Sequence, residues 1–240
     1  MISRRRFVAI SMVALAYVAV SPVVFAITLE GLHVMLAWNI FLAYIPFLLA
    51  YLLQRPIRKT WLLWILLCCW LFMFPNAFYL LTDFIYVDKD AFMVAISYQP
   101  YEYLRDLPAY LGLFHILIGA GLGVVMGLLS LESVRAGHLA KCHKLPAWFA
   151  VLIVFLLASF AIYLGRFLRF NSWDVINPFR IIREFLDSFD WFAVFFIAMF
   201  FLIHNFVYFL FRIVATREDD QQVVAGKPQT IEGGDQYQIH

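Results

Sequence analysis

LPAYLGLFHILIGAGLGVVMGLLSL, running from Leu107 to Leu131, decides the fold. It holds no Asp, Glu, Lys or Arg, and it exceeds the roughly 20 residues that a helix rising about 1.5 Å per residue needs to cross a hydrocarbon core. Lipid offers no partner to a bare N–H or C=O, so such a run is a helix. Gly119, Gly123 and Gly127 recur every four residues. They form a smooth stripe on which a neighbouring helix, or a second copy of the chain, can approach closely. His115 lies one turn after Gly112 and one turn before Gly119, so it faces protein rather than lipid. Two readings of it stay open, a histidine bonded within a bundle and a functional group.

Five further runs have the same character: Phe7 to Leu29, Leu32 to Leu53, Trp61 to Leu81, Pro146 to Gly165 and Trp191 to Phe211. The 240 residues are 64% hydrophobic, 19% aromatic and only 14% charged, with mean hydropathy +0.83. A soluble domain carries about a quarter charged residues, so the balance excludes an ordinary soluble enzyme, a disordered chain and a nucleic-acid binder. The expected fold is all-α, a polytopic membrane bundle of six transmembrane helices over residues 1–216. Residues 217–240 are polar and rich in Gly, Gln and Asp, and are expected to form a disordered cytoplasmic tail.

Charge sets the expected orientation. Arg4, Arg5, Arg6, Arg55, Arg58, Lys59, Arg135, Lys141, Lys144, Arg212 and Arg217 fall in alternate connectors, while Glu30, Asp83, Asp88, Asp90, Glu102, Asp106, Asp174, Glu184, Asp187 and Asp190 fall in the others. The basic side faces the cytoplasm, which puts both termini inside a bacterial cytoplasmic membrane. Ser3 to Val8 also looks like a twin-arginine export signal with a cleavage site near Ala26, but the apolar run after it is too long for that.

Two outward connectors are long, which favours function or flexibility. In the second, Asn177-Pro178 caps a segment with Phe179, Ile182, Phe185, Leu186 and Phe189 at helical spacing, and Arg180–Glu184 and Arg183–Asp187 pair at i,i+4. The expectation is an amphipathic interfacial helix on the outer side. Tyr98, Tyr101 and Tyr103 in the first connector suit an interface belt.

The polar residues inside the spans are costly and therefore informative. Asn39, Ala43, Pro46 and Ala50 share a face that points Asn39 inward, with a bend at Pro46. Asn76, Tyr79 and Asp83 share another, just after Pro75 interrupts the helical ladder. Arg166 and Arg169 stand on the outward side, against the positive-inside tendency, beside Asn171 and Asp174. Either an acid such as Asp83 or Asp174 neutralises them, or their two guanidinium forks hold the phosphate or carboxylate of a ligand. His204 near mid-span is a functional candidate by default.

Other features point to packing. His33, His115 and His204 as a metal site is disfavoured by their different depths, and no HExxH, GxSxG, Walker A or dinucleotide loop is present, so no metal or cofactor is expected. Vicinal Cys68 and Cys69 read as small packing residues, and His138, Cys142 and His143 as a solvated loop.

Three segments together carry a resemblance: Trp38-Asn39 with Phe41-Leu42-Ala43; Phe74-Pro75-Asn76-Ala77 with Tyr79-Leu80 and Thr82-Asp83; and Tyr163 to Arg169 with Asn171-Ser172-Trp173-Asp174. Over roughly residues 30–212 the chain resembles the bacterial integral-membrane family catalogued as domain of unknown function 1361. Phe78 and Tyr86 stand where that family often has proline and histidine. The resemblance implies no activity.

The leading functional expectation is a polar pocket open to the outer leaflet. Asn39, Asn76, Tyr79, Asp83, His115, Arg166, Arg169, Asn171, Asp174 and His204 would line it, with membrane lipids as partners and an anionic lipid or polyprenyl-phosphate headgroup as ligand. His115 or Asp83 would be the general base if there is chemistry. A small-solute transporter or channel, and an interaction subunit docking through the glycine stripe, are the alternatives.

Overall fold

A computed structural model of the chain describes residues 2–96, 99–139, 147–170, 174 and 176–225. Among the described residues are six helices long and apolar enough to cross a membrane. The helices are α1 (Arg4–Thr28), α2 (Leu32–Leu53), α3 (Thr60–Met73), α4 (Pro75–Tyr79), α5 (Leu107–Gly137), α6 (Ala147–Phe167), α7 (Pro178–Asp187) and α8 (Trp191–Ala225). The third span is composite: α3, α4 and a 3-10 segment, Leu80–Tyr86, follow one another without leaving it.

α2 and α5 form the centre. They pack on each other, α1 lies against both, and α4 wedges between them and α6, which in turn carries α8. The inward face of α2 is Leu36, Ile40, Ala43, Phe47 and Ala50, all essentially sealed. Its alanines alternate with larger side chains and so let α5 come close. Outward-facing Leu15, Trp64, Trp148 and Phe195 stay exposed, as a surface against hydrocarbon requires.

Proline acts differently in the two central spans. α2 runs through Pro46 without interruption. At Pro75 the missing N–H ends α3, and the Asn76 side-chain amide donates to the Met73 carbonyl at 3.0 Å, recovering one bond of the broken ladder.

The glycine stripe of α5 is filled from within the chain. A Cβ at Gly119 would run into the Tyr17 hydroxyl of α1. One at Gly123 would stand 2.5 Å from the Ala77 carbonyl oxygen, and one at Gly127 2.6 Å from the Phe78 ring, both on α4. The Ala77 oxygen is backbone and cannot swing aside. Gly123→Ala is therefore expected to cost about 1–3 kcal/mol by overpacking, read as a lower melting temperature of the detergent-solubilised protein.

Three element boundaries differ from the sequence reading. α5 continues past Leu131 to Gly137, because Glu132 and Arg135 pair at 2.5 and 2.8 Å one turn apart and helix suits them. α8 continues to Ala225, so the first part of the expected disordered tail is helical, while 226–240 lie outside the described residues. The first long connector holds a two-stranded antiparallel hairpin, β1 (Met93–Ile96) and β2 (Gln99–Tyr103). α7 forms where expected: the Asn177 side chain accepts from the Arg180 N–H at 3.2 Å and Pro178 takes the first helical position. Arg180–Glu184 closes at 2.8 Å and Arg183–Asp187 at 3.8 Å. Phe185 packs on Phe160 and Tyr163 of α6, leaving Phe179, Ile182 and Leu186 exposed.

At the end of the bundle away from the hairpin, Glu132 of α5 accepts hydrogen bonds from Arg135, from the Tyr208 hydroxyl at 2.8 Å and from Arg212 at 2.7 Å. The last two belong to α8, so one carboxylate ties the final span to the centre.

Candidate functional site

Asp83 sits in the 3-10 segment that follows the Pro75 break, and none of it reaches the surface. Its Oδ1 accepts from Arg166 Nη2 at 2.9 Å and its Oδ2 from Asn39 Nδ2 at 3.3 Å. Arg166, in the last turn of α6, also donates to the Thr82 carbonyl and, through Nη1, to the Tyr86 hydroxyl at 3.2 Å. The Tyr79 and Tyr86 rings lie 5.3 and 5.0 Å from its guanidinium carbon. Two aromatic faces and a carboxylate replace the water this cation gives up. Gly165 is what allows Tyr79 this close, since a Cβ there would meet its ring at 3.2 Å. The arrangement joins α2, the third span and α6. Of the two readings of Arg166, the ion pair is the one built here, with Asp83 rather than Asp174.

Arg169 is different. It has φ 56°, one of two non-glycine residues in the left-handed region among the described residues, and its side chain is exposed. Among the described residues it has no ion-pair partner and no hydrogen bond. An L residue pays for that backbone geometry, so a function or a fold constraint has to hold it. Beside it, Arg180 of α7 stacks over Phe170 at 5.4 Å and reaches Asp174 at 4.0 Å. Asn171, Ser172 and Trp173 lie outside the described residues, as do Cys142 and His143.

His115 belongs to a second, buried cluster between α1, α2 and α5. Its Nε2 meets Ser21 Oγ at 3.0 Å, its Nδ1 meets His33 Nδ1 at 3.1 Å and Tyr17 Oη at 3.2 Å, and the Tyr17 hydroxyl also donates to the His115 carbonyl at 3.0 Å. The imidazole lies parallel to the Tyr17 ring at 4.3 Å. Sequence reading missed Tyr17 and Ser21. Their i,i+4 spacing, which puts both on one face of α1, was the available signal.

The ten expected site residues thus do not share one set of contacts. Asn39, Tyr79, Asp83 and Arg166 come together, while His115 pairs elsewhere with His33. Asn76 serves the helix break, Asp174 meets Arg180, and Arg169 stands open. His204 is fully buried between the Phe78 and Phe155 rings at 4.5 and 5.2 Å, with Nδ1 bonded to the Phe200 carbonyl at 2.7 Å and Ser159 at 3.1 Å. The two candidate bases are occupied as well: both oxygens of Asp83 and both ring nitrogens of His115 are spent on internal partners. Both side chains are also buried, Asp83 completely, which keeps a substrate proton out of their reach. Among the described residues no three His, Cys, Asp or Glu side chains converge as a metal would need.

No curated protein and no solved structure matches this chain. Residues 38–207, which include the Asn39, Asp83 and Arg166 triad, match the family model described as protein of unknown function DUF1361, and the chain belongs to that family.

Proposed function

We propose that the protein binds an anionic lipid or lipid-linked phosphate headgroup at the hairpin end of the bundle, the end that the charge asymmetry assigns outward. The observation that carries this reading is Arg169, an exposed guanidinium with no partner among the described residues, held in a strained backbone directly after α6. Arg166 is the fixed neighbour: Asp83, Asn39 and two tyrosines hold its position, and Arg169 supplies the open fork that suits phosphate. α7 adds Arg180 and an exposed apolar edge of Phe179, Ile182 and Leu186, the composition that lies at a lipid surface. His204 is sealed among phenylalanines and the glycine stripe is filled by α1 and α4. Both weigh against a solute carrier and a docking subunit.

Arg169→Gln is expected to strip co-purifying anionic lipid, measured by native mass spectrometry of gently extracted protein, while the melting temperature stays unchanged. Lipid retention equal to the parent's would overturn the reading. Arg169→Gly separates the two roles: it should lose lipid yet gain about 1 kcal/mol as the left-handed strain is relieved.

A further inference from the structure

Between α1 and α2 a groove of about 340 Å³ opens on the flank of the bundle, a volume within the range of ligand clefts. Buried Ala14 and Ile40 form its floor, and exposed Leu15 and Phe41 its rims. The small side chain of Ala14 makes the dent. The two polar side chains of the lining turn their hydrogens elsewhere: Ser11 donates to the Phe7 carbonyl at 2.7 Å, so the Tyr44 hydroxyl donates to Ser11 Oγ at 2.7 Å. No side-chain O–H is left to hold a hydrophilic solute, and a hydrocarbon chain is the guest that fits.

Acyl chains of any lipid can wet such a surface, so selectivity has to come from where the groove leads. On α1 its face continues from Ser11 to Arg4, two helical turns and about 10 Å further on. On α2 it continues from Tyr44 to Tyr51, whose ring stacks on Phe7 at 3.9 Å and carries the Arg55 guanidinium at 5.9 Å. Both helices therefore bring an exposed arginine to the same end, the one away from the hairpin. Neither arginine has an ion-pair partner among the described residues, and Glu132 at that end is already spent on Arg135 and Arg212. α1 also starts there with no acid in its first turn, so its dipole adds to the attraction for an anion. An apolar trough that ends between two open guanidiniums has the charge and shape of an anionic lipid.

We propose that this groove is a binding site for one diacyl phospholipid of net negative charge, drawn from the leaflet at that end. Arg4 and Arg55 hold its phosphate, and one acyl chain lies along α1 from Phe7 to Val18. The site shares no residue with the one at the hairpin end and does not depend on that reading.

The test uses full-length protein in nanodiscs of phosphatidylcholine with a trace of phosphatidylglycerol that carries a photoactivatable diazirine in its acyl chain. Labelled peptides are located by mass spectrometry. Labelling of residues 11–18 and 40–44 is expected, displaced by unlabelled phosphatidylglycerol and not by further phosphatidylcholine. Arg4→Gln combined with Arg55→Gln should lower it about tenfold while the melting temperature holds, since both side chains are exposed. Arg5, Arg6, Arg58 and Lys59 remain to keep the charge asymmetry that orients the chain. Ala14→Leu, which fills the groove floor, should lower labelling without touching either charge. Arg169→Gln should leave it unchanged, which separates this lipid from the one at the hairpin end. Labelling displaced equally by phosphatidylcholine, or indifferent to the arginine pair, would reduce the groove to ordinary acyl contact and overturn the proposal. Exclusion of both lipids from residues 11–18 and 40–44, as a second copy of the chain seated there would cause, would overturn it too.

Discussion

Asp83→Ala is expected to lower stability by about 3–5 kcal/mol, because it leaves the Arg166 guanidinium at membrane depth with no counter-charge. Asp83 is sealed, and Arg166 keeps only a tenth of its side chain in contact with the surroundings. Neither water nor a second acid can move in to replace the carboxylate. The measurement is thermal or denaturant unfolding in a fixed detergent. The discriminating control is Asp83→Leu combined with Arg166→Leu: removing both charges should recover most of the loss, since the penalty belongs to the stranded cation and not to the missing bond. A double variant as unstable as the single one would show that the pair acts through backbone geometry, for instance through the Thr82 carbonyl that Arg166 also holds.

Glu132→Ala is the second large change, expected to cost about 3 kcal/mol and to loosen α8 ahead of the rest of the bundle. One carboxylate there accepts from two arginines and a tyrosine, and two of those donors are on α8. Losing it removes the acceptor that Arg135, Arg212 and Tyr208 share and brings the two cations together without their common counter-charge. Hydrogen exchange should show α8 amides losing protection while those of α2 and α5 keep theirs. Equal loss along all six spans would contradict the assignment of this cluster as the α5–α8 tie.

The six spans were legible because a run without charge at bilayer length has one solution, whatever its neighbours do. α7 was legible for a local reason too: Asn177, Pro178 and two i,i+4 ion pairs need no tertiary information. What was not legible is how polar residues on different helices choose partners. Arg166 had two plausible acids within reach by sequence, Asp83 and Asp174, and only the Pro75 break and the 3-10 turn decide in favour of the first. His115 read correctly as inward, yet its partners Tyr17, Ser21 and His33 come from spans that sequence alone cannot set side by side. Glu132 escaped notice because an apolar criterion stops at Leu131, one residue before the carboxylate that matters. The glycine stripe named a close approach but not whose, and the answer is α1 and α4.

Tyr86 accepts from Arg166 while half of its own surface stays open. The same guanidinium holds Asp83, which has no surface at all. A change in the medium at that end of the bundle therefore has a polar path to a carboxylate it never touches, and Tyr86→Phe would cut that path while leaving the ring in place.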